Sequence, residues 1–344
     1  MMHCLNHPLQ SFNSFKVPAF AAHYIRLNSP KDIEDFYTAV DVRQSDLYIL
    51  GGGSNTLFVS NCSGYLLHVQ LPGIEIKQET SYKVLIKAAA GVTWHQLVLF
   101  CVERGYGGIE NLSLIPGTVG AAPIQNIGAY GVELKEVLDT IEAIELSTGQ
   151  KVIFKSSACG FGYRTSFFKT KWQHQYLITS ITLALHKEKK FSIAYEAIQN
   201  MLAKMEIKQL SFKAISDAII AIRKQKLPDP AILGNAGSFF QNPFISIAHY
   251  QWLKQQYPSV IAFRTEYTEQ VKISAAWLIE AAGFKGFRKG NAGVYTLHPL
   301  ILVNYGGATG KDIITLATQI KTKVKNQFNI TLIPEVNIVG GAIK

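Results

Sequence analysis

The stretch Ile115-Pro-Gly-Thr-Val-Gly-Ala-Ala-Pro-Ile-Gln-Asn-Ile-Gly-Ala-Tyr-Gly131 decides how this chain is read. It holds four glycines, three alanines and two prolines, and it carries no charge. Glycine lets backbone approach a ligand closely, and successive amides in such a turn can face an anion. Gln125 and Asn126 add donors and acceptors without adding charge. Just upstream, Ile109, Leu112 and Leu114 predict a buried approach. The segment suits a large, flat, polar-edged cofactor with a diphosphate tail. Its composition alone fits a glycine-rich loop in a sheet corner equally well.

A second glycine run lies upstream. Leu47-Tyr-Ile-Leu50 reads as a strand running into Gly51-Gly-Gly-Ser-Asn55, and Leu57-Phe-Val59 resumes as strand. A glycine triplet between strands is a tight turn whose amides face outward, a nest for phosphate oxygens, although glycine-rich hairpins are common. Ser29-Pro30 starts a helix through about Thr38. Val84–Ala90 reads as strand, and Thr93 then caps a helix, with Gln96 completing a capping box and Gly105 closing the end. Trp94, Leu97, Val98, Cys101 and Val102 share one face, so Cys101 belongs to the core. Val137–Leu146, Lys151–Phe154 and Tyr176–Leu185 alternate as strands.

Further on, Ala214–Lys226 is a helix stopped by Leu-Pro-Asp-Pro230, and Ser274 caps another through Ala282. Lys311–Phe328 aligns Ile313, Leu316, Ile320, Val324 and Phe328, and Leu332–Val339 reads as a last strand. A strand-rich first half with few helices is an α+β arrangement.

At 344 residues the chain has room for two or three domains, and 48% hydrophobic against 17% charged residues excludes a disordered protein. With no run of about 18 apolar residues, no membrane span is expected. The start lacks a basic region followed by an apolar stretch, and the four cysteines form no Cys-x-x-Cys pair; both features predict reduced thiols in a cytoplasm. The net charge of +10 is spread along the chain, densest from Lys187 to Lys226, rather than gathered in one stripe. That argues against nucleic acid and fits anionic small molecules or a basic solvated surface.

Familiar signatures are absent. There is no Gly-x-Gly-x-x-Gly and no Gly-x-Ser-x-Gly. Gly306-Gly-Ala-Thr-Gly-Lys311 imitates a phosphate loop, but Asp312 stands where Ser or Thr is needed, so it reads as a loop and N-cap. His3 and His7 fall in a terminus expected to fray, and no metal site is expected. Three residues stand out. Arg164 is a charge among aromatics, suited to clamping a carboxylate or to a structural ion pair. Ser238 precedes two phenylalanines, so its hydroxyl either enters a dry pocket or serves a turn. Glu335 interrupts an apolar strand, which is costly unless it is paired, functional or at an edge facing water.

Five motifs taken together carry a resemblance. Ile49–Leu57, Ile115–Gly131, Tyr163-Arg-Thr-Ser-Phe-Phe-Lys169, Gly234-Asn-Ala-Gly-Ser-Phe-Phe-Gln-Asn-Pro243 and Ile333-Pro-Glu-Val336 occur in this order. The set resembles the UDP-N-acetylenolpyruvoylglucosamine reductase family, flavoenzymes of peptidoglycan precursor synthesis, over about Asn13 to Gly340. The resemblance implies a p-cresol methylhydroxylase/vanillyl-alcohol-oxidase-type FAD-binding fold of two α+β subdomains, with an additional α+β substrate-binding domain. It implies subdomain 1 at 13–75 plus 330–344, subdomain 2 at 76–213, and the substrate domain at 214–329.

Non-covalent FAD would be held by Gly51, Gly52, Gly53, Ser54 and Asn55, by Ile115, Pro116, Gly117, Gly120 and Ala121, and by Gln125, Asn126, Ile127, Gly128, Ala129 and Tyr130. NADPH would give hydride to FAD, and the reduced flavin would pass it to the vinyl carbon of UDP-N-acetylglucosamine enolpyruvate. Arg164 would face the substrate carboxylate beside Glu335, and Ser238 would deliver the proton. Tyr195, Lys226, Asn242 and Tyr267 match positions that bind substrate or nicotinamide nucleotide in the longer form of the family, whereas Arg288 replaces an expected glutamine. The partners implied are these small anionic molecules, with no nucleic acid and no membrane, and a monomer is expected. An oxidase of the same flavin fold and a UDP-sugar-binding regulator without catalysis are the rival readings.

Overall fold

The structure, a computed structural model, describes residues 1–42, 45–263, 265 and 269–342. The chain divides into two compact units, the first formed by Met1–His7, Ala21–Gly53 and Cys62–Gln225.

In the first unit, a four-stranded sheet has the order Met2–Pro8, Phe20–Leu27, Cys62–Val69, Leu47–Leu50. The last three run parallel, with Ile25 opposite Leu67 and Ile49 opposite the same residue. Parallel neighbours need a crossover, and the helix Pro30–Ala39 supplies it. Ser29 caps that helix: its side chain accepts from the Asp32 amide while the Asp32 carboxylate accepts from Ser29, the reciprocal pair that satisfies first-turn donors. Ile33 and Phe36 then join Ile25, Leu27, Leu67 and Val69 in one core.

The expected frayed terminus is instead the strand Met2–Pro8. It covers a sheet edge whose unpaired backbone would otherwise stay exposed, and His3 Nε2 lies 3.1 Å from His23 Nδ1 on the neighbouring strand. Nothing in the local sequence announces this pairing.

A second sheet is antiparallel throughout, in the order Lys151–Lys155, Leu138–Glu145, Tyr176–His186, Lys83–Ala89, Ile74–Glu79. Ile181 on the central strand faces Ile141 on one side and Ala88 on the other. The helix Trp94–Glu103 buries Trp94, Leu97, Val98, Cys101 and Val102 in the same core as Ile86, Ile141 and Ile181. Burial pushes the Cys101 thiol up to about 12.

The expected capping box at Thr93 does not form, and its side chain makes no cap hydrogen bond. Another segment does the work: the Trp94 amide donates to the Gly117 carbonyl at 2.9 Å, the Val119 amide to the Val92 carbonyl at 2.9 Å, and Thr93 bridges Thr118. The cofactor-like segment is therefore stitched onto the start of this helix. Helices Glu196–Lys204 and Phe212–Lys226 close a third core through Ile198, Met201, Leu202, Ile215, Ile219 and Ile222.

The second unit comprises Pro8–Phe20, Ser54–Asn61 and Lys226–Lys344. Its larger sheet has the order Gly234–Ser238, Ile301–Asn304, Ala292–Val294, Arg288–Lys289. Its long helix, Gly310–Phe328, buries Ile313, Leu316, Ile320, Val324 and Phe328 as the periodicity predicts. Thr309 and Asp312 form its capping box, so the phosphate-loop imitation is an N-cap.

The last strand is shorter than expected. Asn337–Val339 pairs in parallel with Thr56–Phe58, whereas Pro334 makes only an isolated bridge to Phe240. Residues 333–335 give their backbone to 239–241 instead, the Glu335 amide donating to the Phe239 carbonyl, so the ladder with Thr56–Phe58 begins only at Asn337.

Candidate active-site residues

The two glycine runs meet back to back within the first unit. A Cβ on Gly51 would lie 2.5 Å from Thr118 Oγ1, and one on Gly52 would lie 3.1 Å from Gly117 Cα. A side chain at position 51 would force the Thr118 hydroxyl to shift. Thr118 is 8% exposed, and among the described residues its buried Oγ1 has no hydrogen-bond partner. Closely apposed glycine turns fit the diphosphate of a dinucleotide cofactor.

Beyond the turn, Val119–Gln125 is a 3-10 helix, closed by Asn126 in the left-handed conformation at φ +46. The Asn126 side chain is committed to protein: Nδ2 donates to Glu133 Oε2 at 2.9 Å and to the Gly162 carbonyl at 3.0 Å, and Oδ1 accepts from the Lys135 amide at 3.0 Å. Asn126 thus holds the loop in shape.

His68 supports the first glycine turn and is absent from the sequence expectations. It faces Leu50 across the parallel ladder, and the Gly51 backbone hydrogen-bonds its ring. The Tyr24 hydroxyl lies 2.7 Å from His68 Nδ1. Burial, and then the Arg26 charge, hold the His68 pKa at about 4, so the ring is neutral at physiological pH.

Arg164 is the second central residue of a two-residue turn closed by Gly162 and Thr165, whose amides and carbonyls pair at 3.1 and 3.4 Å. Its φ of +53 is left-handed, a position usually left to glycine. Nη2 donates to the Gly128 carbonyl at 2.6 Å, tying the arginine to the cofactor-like segment. Non-glycine residues held in this region cluster at functional sites. Arg223 is a further cation that the sequence reading passed over. It donates to the Leu114 carbonyl at 3.2 Å, and burial lowers its pKa, with the Arg164 charge acting in the same direction. The signal was available, because Arg223 continues the buried stripe Phe212, Ser216, Ile219 of its helix.

Ser238 and Glu335 belong to the second unit. Ser238 ends the strand Gly234–Ser238, after a register break between Asn235 and Ser238 in the pairing with Ile301–Asn304. Gly237 at φ +67 makes that bulge, the usual device for re-aiming a side chain. Residues 333 to 335 run beside 239 to 241: the Glu335 amide donates to the Phe239 carbonyl at 2.8 Å and the Gln241 amide to the Ile333 carbonyl at 2.9 Å. Asn55 joins them by donating to the Glu335 carbonyl at 3.2 Å. Glu335 therefore sits outside any strand and beside the residue that follows Ser238.

Tyr195 precedes the helix Glu196–Lys204, is 51% exposed, and stands edge-on to Tyr130 at 6.0 Å between ring centroids. Asn242 Oδ1 accepts from the Ala275 amide at 2.9 Å, capping the helix Ala275–Ala281. Lys226 is exposed at the end of its helix. Arg288 lays its guanidinium 4.3 Å over the Tyr305 ring. Tyr267 lies outside the described residues. No helix among the described residues is long and apolar enough to cross a membrane.

Comparison with known proteins gives this arrangement its family. Residues 21–154 match the FAD binding domain, and residues 229–339 match the UDP-N-acetylenolpyruvoylglucosamine reductase C-terminal domain. The UDP-N-acetylenolpyruvoylglucosamine reductase of Amoebophilus asiaticus (strain 5a2) is 48% identical over 334 residues, 97% of this chain and 98% of the relative. That of Flavobacterium johnsoniae is 40% identical over 336 residues, 97% of this chain and 98% of the relative. The crystal structure of the Thermus caldophilus enzyme of the same kind shares the fold at a TM-score of 0.67 and 21% identity, covering 98% of both chains. The α+β fold with a flavin-binding domain and a reductase C-terminal domain is thereby established, and the chain belongs to the UDP-N-acetylenolpyruvoylglucosamine reductase family.

Proposed function

We propose that the chain is an NADPH-dependent flavoenzyme that reduces the enolpyruvyl group of UDP-N-acetylglucosamine enolpyruvate to give UDP-N-acetylmuramate in peptidoglycan precursor synthesis. The observation that carries this reading is the full-length 48% identity to a protein bearing that activity's name. FAD, once bound, supplies the two-electron carrier between NADPH and the vinyl carbon. The Gly51–Gly53 and Gly117–Gly120 turns, whose backbones approach each other closely, would hold its diphosphate through their amides.

The protein's own groups then govern the second half-reaction. Hydride addition to the terminal carbon breaks the C=C π bond and moves its electron pair toward the carboxylate. Arg164 stabilises that charge, and its fixed turn supplies preorganisation. The Ser238 Oγ–H gives its proton to the adjacent carbon, completing addition across the double bond. Glu335 lies beside the carboxylate and shares a proton there. Tyr195, Lys226, Asn242 and Tyr267 hold the diphosphate of the UDP-sugar or of the nicotinamide nucleotide, which use the site in turn. The division at 13–75 plus 330–344, 76–213 and 214–329 describes the functional parts, and the enzyme works as a cytoplasmic monomer.

The test is an anaerobic spectrum before and after NADPH. A flavin band that bleaches, then returns on adding UDP-N-acetylglucosamine enolpyruvate, establishes donor, cofactor and acceptor. A band that only air restores overturns the reductase reading in favour of an oxidase, and a colourless protein that FAD cannot reconstitute overturns both.

A further inference from the structure

Asn111 is fully buried, at 0% exposure, in the short 3-10 turn Glu110–Leu112. Its Nδ2 donates to two carbonyls from distant segments, Tyr130 at 3.0 Å and Ser192 at 2.8 Å. Its Oδ1 is buried with no partner among the described residues. A buried carbonyl oxygen left unpaired costs about 1–3 kcal/mol, so a residue that keeps one is retained for its other atoms. Here those atoms are the two amide hydrogens, and both reach backbone.

The two carbonyls belong to the two segments that meet at Tyr195. Tyr130 is the penultimate residue of the cofactor-like segment, and Ser192 lies three residues before Tyr195 at the head of its helix. At that junction a Cβ on Gly131 would lie 3.1 Å from Tyr195 Cε2, so the tyrosine ring rests on the bare backbone of position 131. The Tyr130 ring meets it edge-on at 6.0 Å. Tyr195 is half-exposed; its carbonyl accepts from the Ile198 amide at 2.9 Å at the head of the helix, and its ring packs on Gly131 and Tyr130, the segment that Asn111 ties to Ser192.

We infer that Asn111 is a positioning residue for substrate binding: by joining Tyr130 and Ser192 it fixes Tyr195 where the ring and hydroxyl meet the nucleotide-sugar. This rests on the proposed substrate-binding role of Tyr195. Loss of the two donors should release the 192–195 stretch and weaken binding of the nucleotide-sugar, with little change once the site is saturated.

The experiment uses the FAD-loaded enzyme, reduced beforehand with no oxygen present, and measures flavin reoxidation against UDP-N-acetylglucosamine enolpyruvate concentration. Asn111→Ala should raise the half-saturating concentration about tenfold while the limiting rate stays within about threefold, as the loss of roughly one buried hydrogen bond implies. Tyr195→Ala should raise the same quantity, and the double variant should be no worse than the weaker-binding single variant, because both act through one element. If Tyr195→Ala raises it and Asn111→Ala does not, or if the two effects multiply, the inference about Asn111 fails while Tyr195 keeps its role. If Tyr195→Ala changes nothing, the reading of Tyr195 fails instead. Should Asn111→Ala not fold, Asn111→Ser keeps one hydroxyl donor and should give a smaller rise; wild-type binding in that variant overturns the proposal.

Discussion

The Glu335 amide donates to the Phe239 carbonyl at 2.8 Å, one residue beyond Ser238, although 95 positions separate the pair in sequence order from 240 to 334. The acid and the hydroxyl proposed for protonation are thus set by neighbouring backbone and not by a flexible loop. Precision of this kind is what a site requires when a proton must move over a hydrogen-bond distance.

Ser238→Ala should separate the two half-reactions. Flavin reduction by NADPH should stay within about twofold of the wild type, and reoxidation by the UDP-sugar should fall by about 10²- to 10⁴-fold, the range for loss of a positioned proton donor. Stopped-flow absorbance in each half-reaction measures this. Equal slowing of both would remove Ser238 from the proton-donor role.

Arg164 offers a two-variant test, because its role and its backbone strain separate. Arg164→Ala and Arg164→Gly should both slow the second half-reaction by about 10²-fold or more, as for other losses of charge stabilisation. Arg164→Gly should be the more stable of the two by about 1 kcal/mol, since glycine accepts the left-handed φ of +53 that alanine resists. Unchanged turnover in either variant would make Arg164 structural only.

Gly51→Ala should weaken FAD. The added methyl would stand 2.5 Å from Thr118 Oγ1, and overpacking of this kind costs about 1–3 kcal/mol. Titration of the flavin-free protein with FAD should show an affinity lower by about tenfold, consistent with such a cost. Undiminished affinity would mean that the apposed glycine turns are not the diphosphate site.

His68 sets a pH dependence whose sign follows from its depressed pKa. The folded value is about 4 against an ordinary 6.5, so between these limits the unfolded chain binds the extra proton and the folded one does not. The stability contribution is fully present above pH 6.5 and is lost as pH falls toward 4, up to about 3 kcal/mol in all. Urea unfolding at pH 7 and pH 4.5 should show a larger drop for the wild type than for His68→Gln. Equal drops would show that the ring titrates as it does in the unfolded chain.

The sequence by itself determined whatever depends on contacts within about one helical turn. The cap at Ser29, the cap at Thr309 and the apolar stripe from Ile313 to Phe328 are such contacts, and the five motifs in order carried the family. Arg164, Ser238 and Glu335 were visible as residues out of keeping with their neighbours, because a charge among aromatics or in an apolar run is costly without a purpose.

The tertiary structure decided how those residues are held. The pairing of Met2–Pro8, the replacement of the Thr93 cap by the Gly117 carbonyl, the Gly128 carbonyl that receives Arg164 and the two carbonyls joined by Asn111 all come from segments remote in sequence. No periodicity records such partners. A buried polar group is satisfied by whatever the folded chain brings within about 3 Å of it, and only the fold specifies which group that is.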